Sequence, residues 1–396
     1  MFTENNTNKL LNDNLLKEIR GYLGKEQALM ERGILLEPDT NKKYYTGYDY
    51  KTLYDWDQYF EAIIQIYMGW PSDYIKNGVT IFLDHQQADG LISRSVPSNI
   101  YHDPEHVKPF LCQTILLIEK HYGDLDWILN DTYYPRLKKY MNYWLEAMDS
   151  NGSGLSEWMS APHTGMDNQH ERAGWWGDRV SEGVDLNCYL YLELIAFTQL
   201  AEKYGKHEDV DTFREHASKC KDAIQHLLWD EASGFYYDRN VASGEPIRVQ
   251  TIAGFMPLWA GVCSPEHARR LVEEHLQNED TFWSPWPVAT MSRSEAGYSR
   301  TTLPDDLGCN WRACVWIPTN YMVYHGLKRY GYDQVASLLA SCTQELVRQA
   351  GNREWYDAET GEGCGLDPFW GWSLLAHFMA YEEQHPGEPN PQLELK

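Results

Sequence analysis

The 396-residue sequence has no apolar run long enough to span a bilayer. Its first residues, MFTENNTNKLLNDNLLKEIR, lack the basic-then-apolar order of a secretory signal, so a soluble, cytoplasmic protein is expected. No C-x-x-C is present, and the closest of the eight cysteines are Cys309 and Cys314. A chain this long needs no disulfide staples, so these are read as reduced core thiols. Basic residues are few: 34 Lys and Arg face 58 Asp and Glu, a formal net charge of -24. That balance argues against a nucleic-acid or anionic-membrane surface, which needs clustered cations, and leaves a neutral or small substrate. Linkers rich in Pro, Ser or Gly are also missing, which favours one domain over residues 1–396.

Aromatic residues are plentiful instead, with 16 Trp and 27 Tyr. Rings with an apolar face and a polar tip suit a sugar pocket as well as a large core. Apolar residues recur at helical spacing over 56–69, 106–122, 132–148, 185–203, 208–229, 265–277, 311–330, 332–349 and 368–382, while strand-like alternation is scarce. The fold class predicted is all-α. Between these segments a similar turn returns, as QADGLISRS (87–95), NGSGLSEWM (151–159), EASGFYYDR (231–239) and AETGEGCG (358–365). Helical hairpins stacked in a ring, with functional loops at one end, would produce that repetition.

Four stretches place Trp beside charge near a turn or helix start: LYDWDQYF (53–60), SEWMSAPHTGMDNQHERAGWWGDR (156–179), CNWRACVWIPTNY (309–321) and NREWYDAETGEGCGLDPFWGW (352–372). A carboxylate desolvated by such rings holds its proton nearer neutrality and can serve as a general acid. Taken separately, Asp167 is equally well a turn or helix-capping aspartate, and Glu354 a solvated glutamate beside Arg353.

In this chain order the four stretches resemble glycoside hydrolase family 63 and its trehalase-like relatives, with the nearest likeness to bacterial mannosylglycerate and glucosylglycerate hydrolases. The matching residues are Trp56-Asp57, Gly165-Met166-Asp167-Asn168, a third segment with Trp311, Arg312, Trp316, Asn320 and Tyr321, and Glu354 to Gly365 followed by Phe369-Trp370-Gly371-Trp372. Ala313 departs from the family pattern, which has Gly there. The resemblance covers residues 45 to 380. It implies an (α/α)6 toroid with the site at the mouth of the ring, Asp167 as general acid, Glu354 as general base, and inversion at the anomeric carbon. Glycosidic cleavage independently requires such a pair, one carboxyl to protonate the leaving oxygen and one to act from the opposite face. Trp56 would stack on the glycon and Asp57 accept its hydroxyls, with Trp311, Arg312, Trp316 and Trp372 around the same pocket.

An acidic aglycone such as glycerate would need an Arg or neutral donors, for which Arg179 and Gln113 are the candidates. Tyr50 and Tyr54 belong to TGYDYKTLYDWD (46–57), a segment with the Gly and aromatic content of a closing loop. DSNGSGLSE (149–157) has part of an EF-hand pattern, but its twelfth position is Ser160, so it is read as a plain turn. His163 and His170 flank Asp167 without zinc spacing; neither a metal nor another cofactor is expected. The expected partner is a small sugar substrate, with no nucleic acid and no membrane, and a homo-oligomer is compatible with the sequence. Glucosylglycerate or mannosylglycerate is the foremost substrate, and a trehalase or short oligosaccharide α-glucosidase comes second. Two other classes compete: a sugar 2-epimerase or isomerase, which would place paired histidines at the centre of a similar toroid, and a non-catalytic sugar-binding protein.

Overall fold

The computed structural model describes residues 24–49, 51–98, 105–175, 178, 180–302, 308–387, 390, 393 and 395. The helices that build the ring fall into alternating inner and outer members. The inner ones are α1 (Asp55–Tyr67), α3 (Leu111–Tyr122), α5 (Val184–Lys203), α7 (Met256–Ala260), α9 (Ile317–Arg329) and α11 (Leu375–Gln384). Between them in the chain come α2 (Asp73–Asp84), α4 (Tyr133–Asn142), α6 (His207–Leu227), α8 (Pro265–Arg270) and α10 (Asp333–Ala350). Each inner helix packs on the next, α1 on α3, α3 on α5, α5 on α7, α7 on α9, α9 on α11, and α11 back on α1, so the ring closes. This is the (α/α)6 toroid.

Burial explains the two layers. Every residue of α1 is buried, as is nearly all of α5, because an inner helix has neighbours on all sides. The outer helices α6 and α10 carry a buried stripe, Val210, Phe213, Ala217, Cys220 and Ile224 in α6 and Ala336, Leu339, Ala340, Thr343 and Val347 in α10. Those positions recur every three or four residues, the spacing of one helix face. Three expectations differ at their edges. Residues 311–316 form a bend and the strand Cys314–Val315 ahead of α9, with Trp316 as its N-cap residue, residues 106–110 precede α3 rather than opening it, and residues 368–371 are non-helical ahead of the short turn Trp372–Leu374 and α11. Helix α2 was not legible because Asn77-Gly78 and several β-branched residues interrupt its pattern. Helix α7 has only five residues, too few to show a period.

Connections alternate in length. Inner-to-outer turns are short, such as 204–206 and 330–332, while outer-to-inner segments are long, such as 143–183, 277–316 and 351–374. The long segments all lie at the end where the inner helices begin, and the four Gly-containing turns fall there as predicted. Short antiparallel pairings tie them together. Trp355–Asp357 pairs with Gly363–Cys364 on one side and with Cys314–Val315 on the other, and Leu53–Tyr54 pairs with Ser95–Val96. The eight cysteines are free thiols. Among the described residues no helix is long and apolar enough to cross a membrane.

Candidate active site

Asp167 sits at the mouth of the ring in a loop that its neighbours hold still. Gly165 has φ +84°, and a Cβ there would meet the Trp56 ring at 2.8 Å, so the chain passes directly over that indole. The next residue, Asn168, accepts from Trp311 N at 2.8 Å through Oδ1, and Arg312 Nε donates to its carbonyl at 3.2 Å. Gln169 Nε2 donates to Trp311 O at 2.6 Å. Beneath the loop, Arg172 is ion-paired with Asp185 and Asp238, each at 2.5 Å, and its Nε donates to Gln169 Oε1. The motif that follows Asp167 is therefore its support.

Glu354 comes close to Asp167 from a separate segment, 351–374. Leu366 N donates to Glu354 Oε2 at 3.1 Å, Trp372 Nε1 donates to its carbonyl at 2.8 Å, and Trp355 and Tyr356 are anchored in the three-stranded sheet. The Cys309 thiol donates to Glu354 Oε1 at 4.0 Å, and it lies close enough to Asp167 for that carboxylate's charge to act on it. Glu354 in turn feels the charge of Asp167, so the two carboxyls are near neighbours in one cavity. Burial pushes the Asp167 carboxyl up to about 6, against the pull of Arg94 and Lys108. Burial likewise pushes Glu354 up to about 7, with the Leu366 amide opposing and the charge of Asp167 adding to the rise. Two carboxyls so raised can share a proton near neutrality.

Buried rings adjoin the two carboxyl loops. Trp311 stacks on Trp316 at 3.8 Å and 10°, with Trp56 5.6 Å from Trp311 and Trp372 5.6 Å from Trp316. Asp57, one residue into α1 beyond Trp56, accepts from the Tyr48 hydroxyl at 2.6 Å. Burial pushes its carboxyl up to about 7 despite that bond. Tyr54 is close enough to Arg94, Asp57 and Asp167 to feel their charges, and burial raises its hydroxyl to about 12. Arg312 pairs with Glu171 at 3.2 Å as well as bracing Asn168. Ala313 is buried without positive φ, so alanine fits the family's glycine position with no left-handed backbone.

The remaining candidates fare differently. Gln113 is not presented to the pocket: its Nε2 donates to Pro109 O at 2.8 Å and Tyr189 O at 3.4 Å inside the ring wall. Tyr50 and Arg179 lie outside the described residues. The 46–57 segment is clamped rather than loose over its first part, because Trp370 N donates to Gly47 O, Trp370 Nε1 to Thr46 O, and Tyr48 stacks on Phe369. In the 149–157 turn, Asp149 accepts from the Ser153 and Gly154 amides and Glu157 accepts from Ser150 N, which uses the carboxylates locally. His163 has both ring nitrogens on backbone groups of Met159 and His106, and His170 stacks on Trp175.

Sequence reasoning missed two buried cations and a thiol. Lys108 Nζ lies 3.2 Å from Asp55 and 5.3 Å from the Trp56 ring centre, and Arg94 pairs with Glu105 at 2.7 Å. Both are charged neighbours of Asp167. The only signal for Lys108 was its place in KPFLCQ, ahead of α3; nothing in the local pattern separated Cys309 from a core cysteine.

The sequence and the fold have counterparts among known proteins. The chain is 35% identical over 156 residues to a mannosylglycerate hydrolase of Thermus thermophilus, covering 38% of this chain and 34% of that protein. It is 32% identical over 181 residues to one from Rubrobacter radiotolerans, covering 45% and 39%. A cytosolic neutral trehalase of Kluyveromyces lactis is 31% identical over 166 residues, 40% of this chain and 21% of that one. The chain thus spans less than two fifths of the length of these curated relatives. Across solved structures, the fold matches a GH63 mannosylglycerate hydrolase from Thermus thermophilus with TM-score 0.74 at 20% identity, covering 91% of this chain and 99% of that one. Neutral trehalase from Saccharomyces cerevisiae matches with TM-score 0.66 at 18% identity, over 90% and 79%. Residues 50–373 match the model of the mannosylglycerate hydrolase MGH1-like glycoside hydrolase domain, and the chain belongs to that family.

Proposed function

We propose that this protein hydrolyses a small α-glycoside with inversion of configuration, Asp167 protonating the leaving oxygen and Glu354 activating water on the opposite face. The observation that carries this reading is that two carboxyls from separate loops meet at the mouth of the ring, both raised toward neutrality by burial. Trp56, Trp311, Trp316 and Trp372 bind the sugar faces, and Asp57 accepts glycon hydroxyls at the lone pairs that the Tyr48 hydroxyl leaves unused. Arg312 acts by holding the Asp167 loop.

The substrate assigned first is glucosylglycerate or mannosylglycerate, supported by the names of the relatives. A glycerate carboxylate needs a cation, and Arg94 and Lys108 are already paired with Glu105 and Asp55. That role is therefore assigned to Arg179, and Tyr54 is the second aglycone contact assigned from the sequence. Trehalase or oligosaccharide α-glucosidase activity is the second reading, favoured by the likeness to the neutral trehalase. Glucosylglycerate, mannosylglycerate, trehalose and kojibiose, each incubated with the purified protein, separate these readings by which one releases reducing sugar. Proton NMR of the first product formed reads the anomer: a β-sugar from an α-glycoside supports inversion, and an α-sugar refutes it. Arg179→Ala should weaken kcat/KM on glucosylglycerate far more than on uncharged glucosylglycerol; equal losses would remove Arg179 from aglycone recognition.

A further inference from the structure

The hairpin formed by Ile34–Glu37 and Lys42–Tyr45 packs along α2, and its turn carries two carboxylates to the end of that helix. Lys42 Nζ reaches Asp84 at 2.6 Å and Thr80 at 2.9 Å, and Asn77 Nδ2 donates to Lys43 O at 2.8 Å, so the hairpin is fixed against α2. Glu37 is buried and held by its own turn: Oε1 accepts from Asp39 N at 3.1 Å and Oε2 from Thr40 N at 2.6 Å. His85 follows the last residue of α2, its amide donating back to Ile81 O at 3.2 Å. One side-chain donor atom from each of Glu37, Asp39 and His85 lies within 4.8 Å of the other two.

Two of these side chains lack partners. His85 Nε2 is shielded from water and makes no hydrogen bond. Glu37 Oε1 stands 3.8 Å from it, beyond the ~2.7–3.2 Å of an N–H···O bond. A shielded nitrogen left in this way is destabilising unless something ligates it. Asp39 is exposed, and its carboxylate has no hydrogen bond or ion pair among the described residues. Lys42 of the same hairpin is already taken by Asp84 and Thr80. Two ligands held about 2.1 Å from one zinc ion can stand up to about 4.2 Å apart, so the separation that is too long for a hydrogen bond suits a shared ion. Rotation of the exposed Asp39 side chain then supplies the third ligand. An imidazole beside two carboxylates favours a transition metal over Ca²⁺ or Mg²⁺, which prefer all-oxygen shells.

We propose that Glu37, Asp39 and His85 bind a divalent transition-metal ion, zinc foremost, which pins the hairpin turn to the end of α2. The strand Lys42–Tyr45 runs on into Gly47 and Tyr48, where Gly47 N donates to Glu61 Oε1 and the Tyr48 hydroxyl donates to Asp57. The ion thus braces the segment that leads into the candidate site. Asp167 and Glu354 are not among its ligands, so binding does not depend on the catalytic reading.

The full chain, stripped with EDTA and dialysed, is titrated with zinc chloride by calorimetry and with cobalt chloride by absorption. A single zinc ion should bind at micromolar concentration. His85→Ala and Asp39→Asn should each weaken it at least about tenfold, the smaller loss found when even an outer-shell partner of a metal ligand is removed. Asp39 is exposed and the His85 side chain is 32% exposed, so neither substitution opens the core. His226→Ala, which removes an exposed histidine of α6, should keep full affinity. Cobalt should give weak visible bands without the strong near-ultraviolet charge-transfer band of a thiolate, which separates this site from the eight free cysteines. Saturating zinc should raise the melting temperature of the wild type and leave that of His85→Ala unchanged, because only a chain that binds the ion is stabilised by it. Absence of zinc binding by the wild type, full affinity in either His85→Ala or Asp39→Asn, or a thiolate band that grows with bound cobalt would overturn the proposal.

Discussion

Replacing Gly365 with alanine isolates the placement of Glu354 from its chemistry. A Cβ on Gly365 would stand 2.4 Å from Glu354 Oε2 and 2.6 Å from Glu354 Cβ, and the residue has φ +70°. Two costs follow. Left-handed backbone in a residue with a Cβ costs about 1–2 kcal/mol. Restoring ordinary contact then moves the Glu354 carboxylate by about 1 Å, a misplacement that can reduce turnover about a hundredfold. The same move strains the Leu366 N bond to that oxygen. Gly205→Ala supplies the control, since Gly205 has φ +74° with nothing within 4 Å of its would-be Cβ. Both variants should lose a few degrees of melting temperature by thermal scanning, and only Gly365→Ala should lose kcat on the substrate identified by the glycoside panel. Equal kcat in the two variants, or wild-type kcat in Gly365→Ala, would refute the claim that the position of Glu354 limits the reaction.

Asp167→Asn and Glu354→Gln are each expected to fold normally and to lose at least about a hundredfold in kcat, the low end for removing a general acid or base; turnover near wild type by either pure variant would take that residue out of the mechanism. The same variants report on stability. Both carboxyls are raised in the folded protein, to about 6 for Asp167 and about 7 for Glu354, so stability is fully present below their ordinary pKa values and is lost as pH rises through those raised ones. Asp167→Asn should therefore gain on wild type between pH 4 and pH 8, by on the order of 2 kcal/mol after screening at the partly open cavity, and urea melts showing no pH-dependent difference would contradict this. Lys108→Met leaves Asp55 buried without its cation, which should cost about 3–5 kcal/mol in a chemical melt; a loss under 1 kcal/mol would refute the claim that this pair is needed to hold Asp55 in the interior.

The sequence by itself determined the helical architecture and the chemical character of the mouth. Period-3.6 patterning exposed the helices whose stripes or lengths were sufficient, and the ordered stretches around Trp56, Asp167, Trp311 and Glu354 marked segments that the fold brings to one end, because each lies before an inner helix or in its first turn. The tertiary structure decided which of those side chains face the cavity and what tunes them. Gln113 looked available beside the motifs, yet an inner helix has no solvent face, and its amide is committed to backbone carbonyls across the ring. Lys108, Arg94 and Cys309 carry no local signature, since their effect on Asp167 comes through space from residues 59, 73 and 142 positions away, distances along the chain over which composition and periodicity carry no information. Electrostatics and hydrogen bonding act on separation in three dimensions, so those terms exist only once the ring has closed.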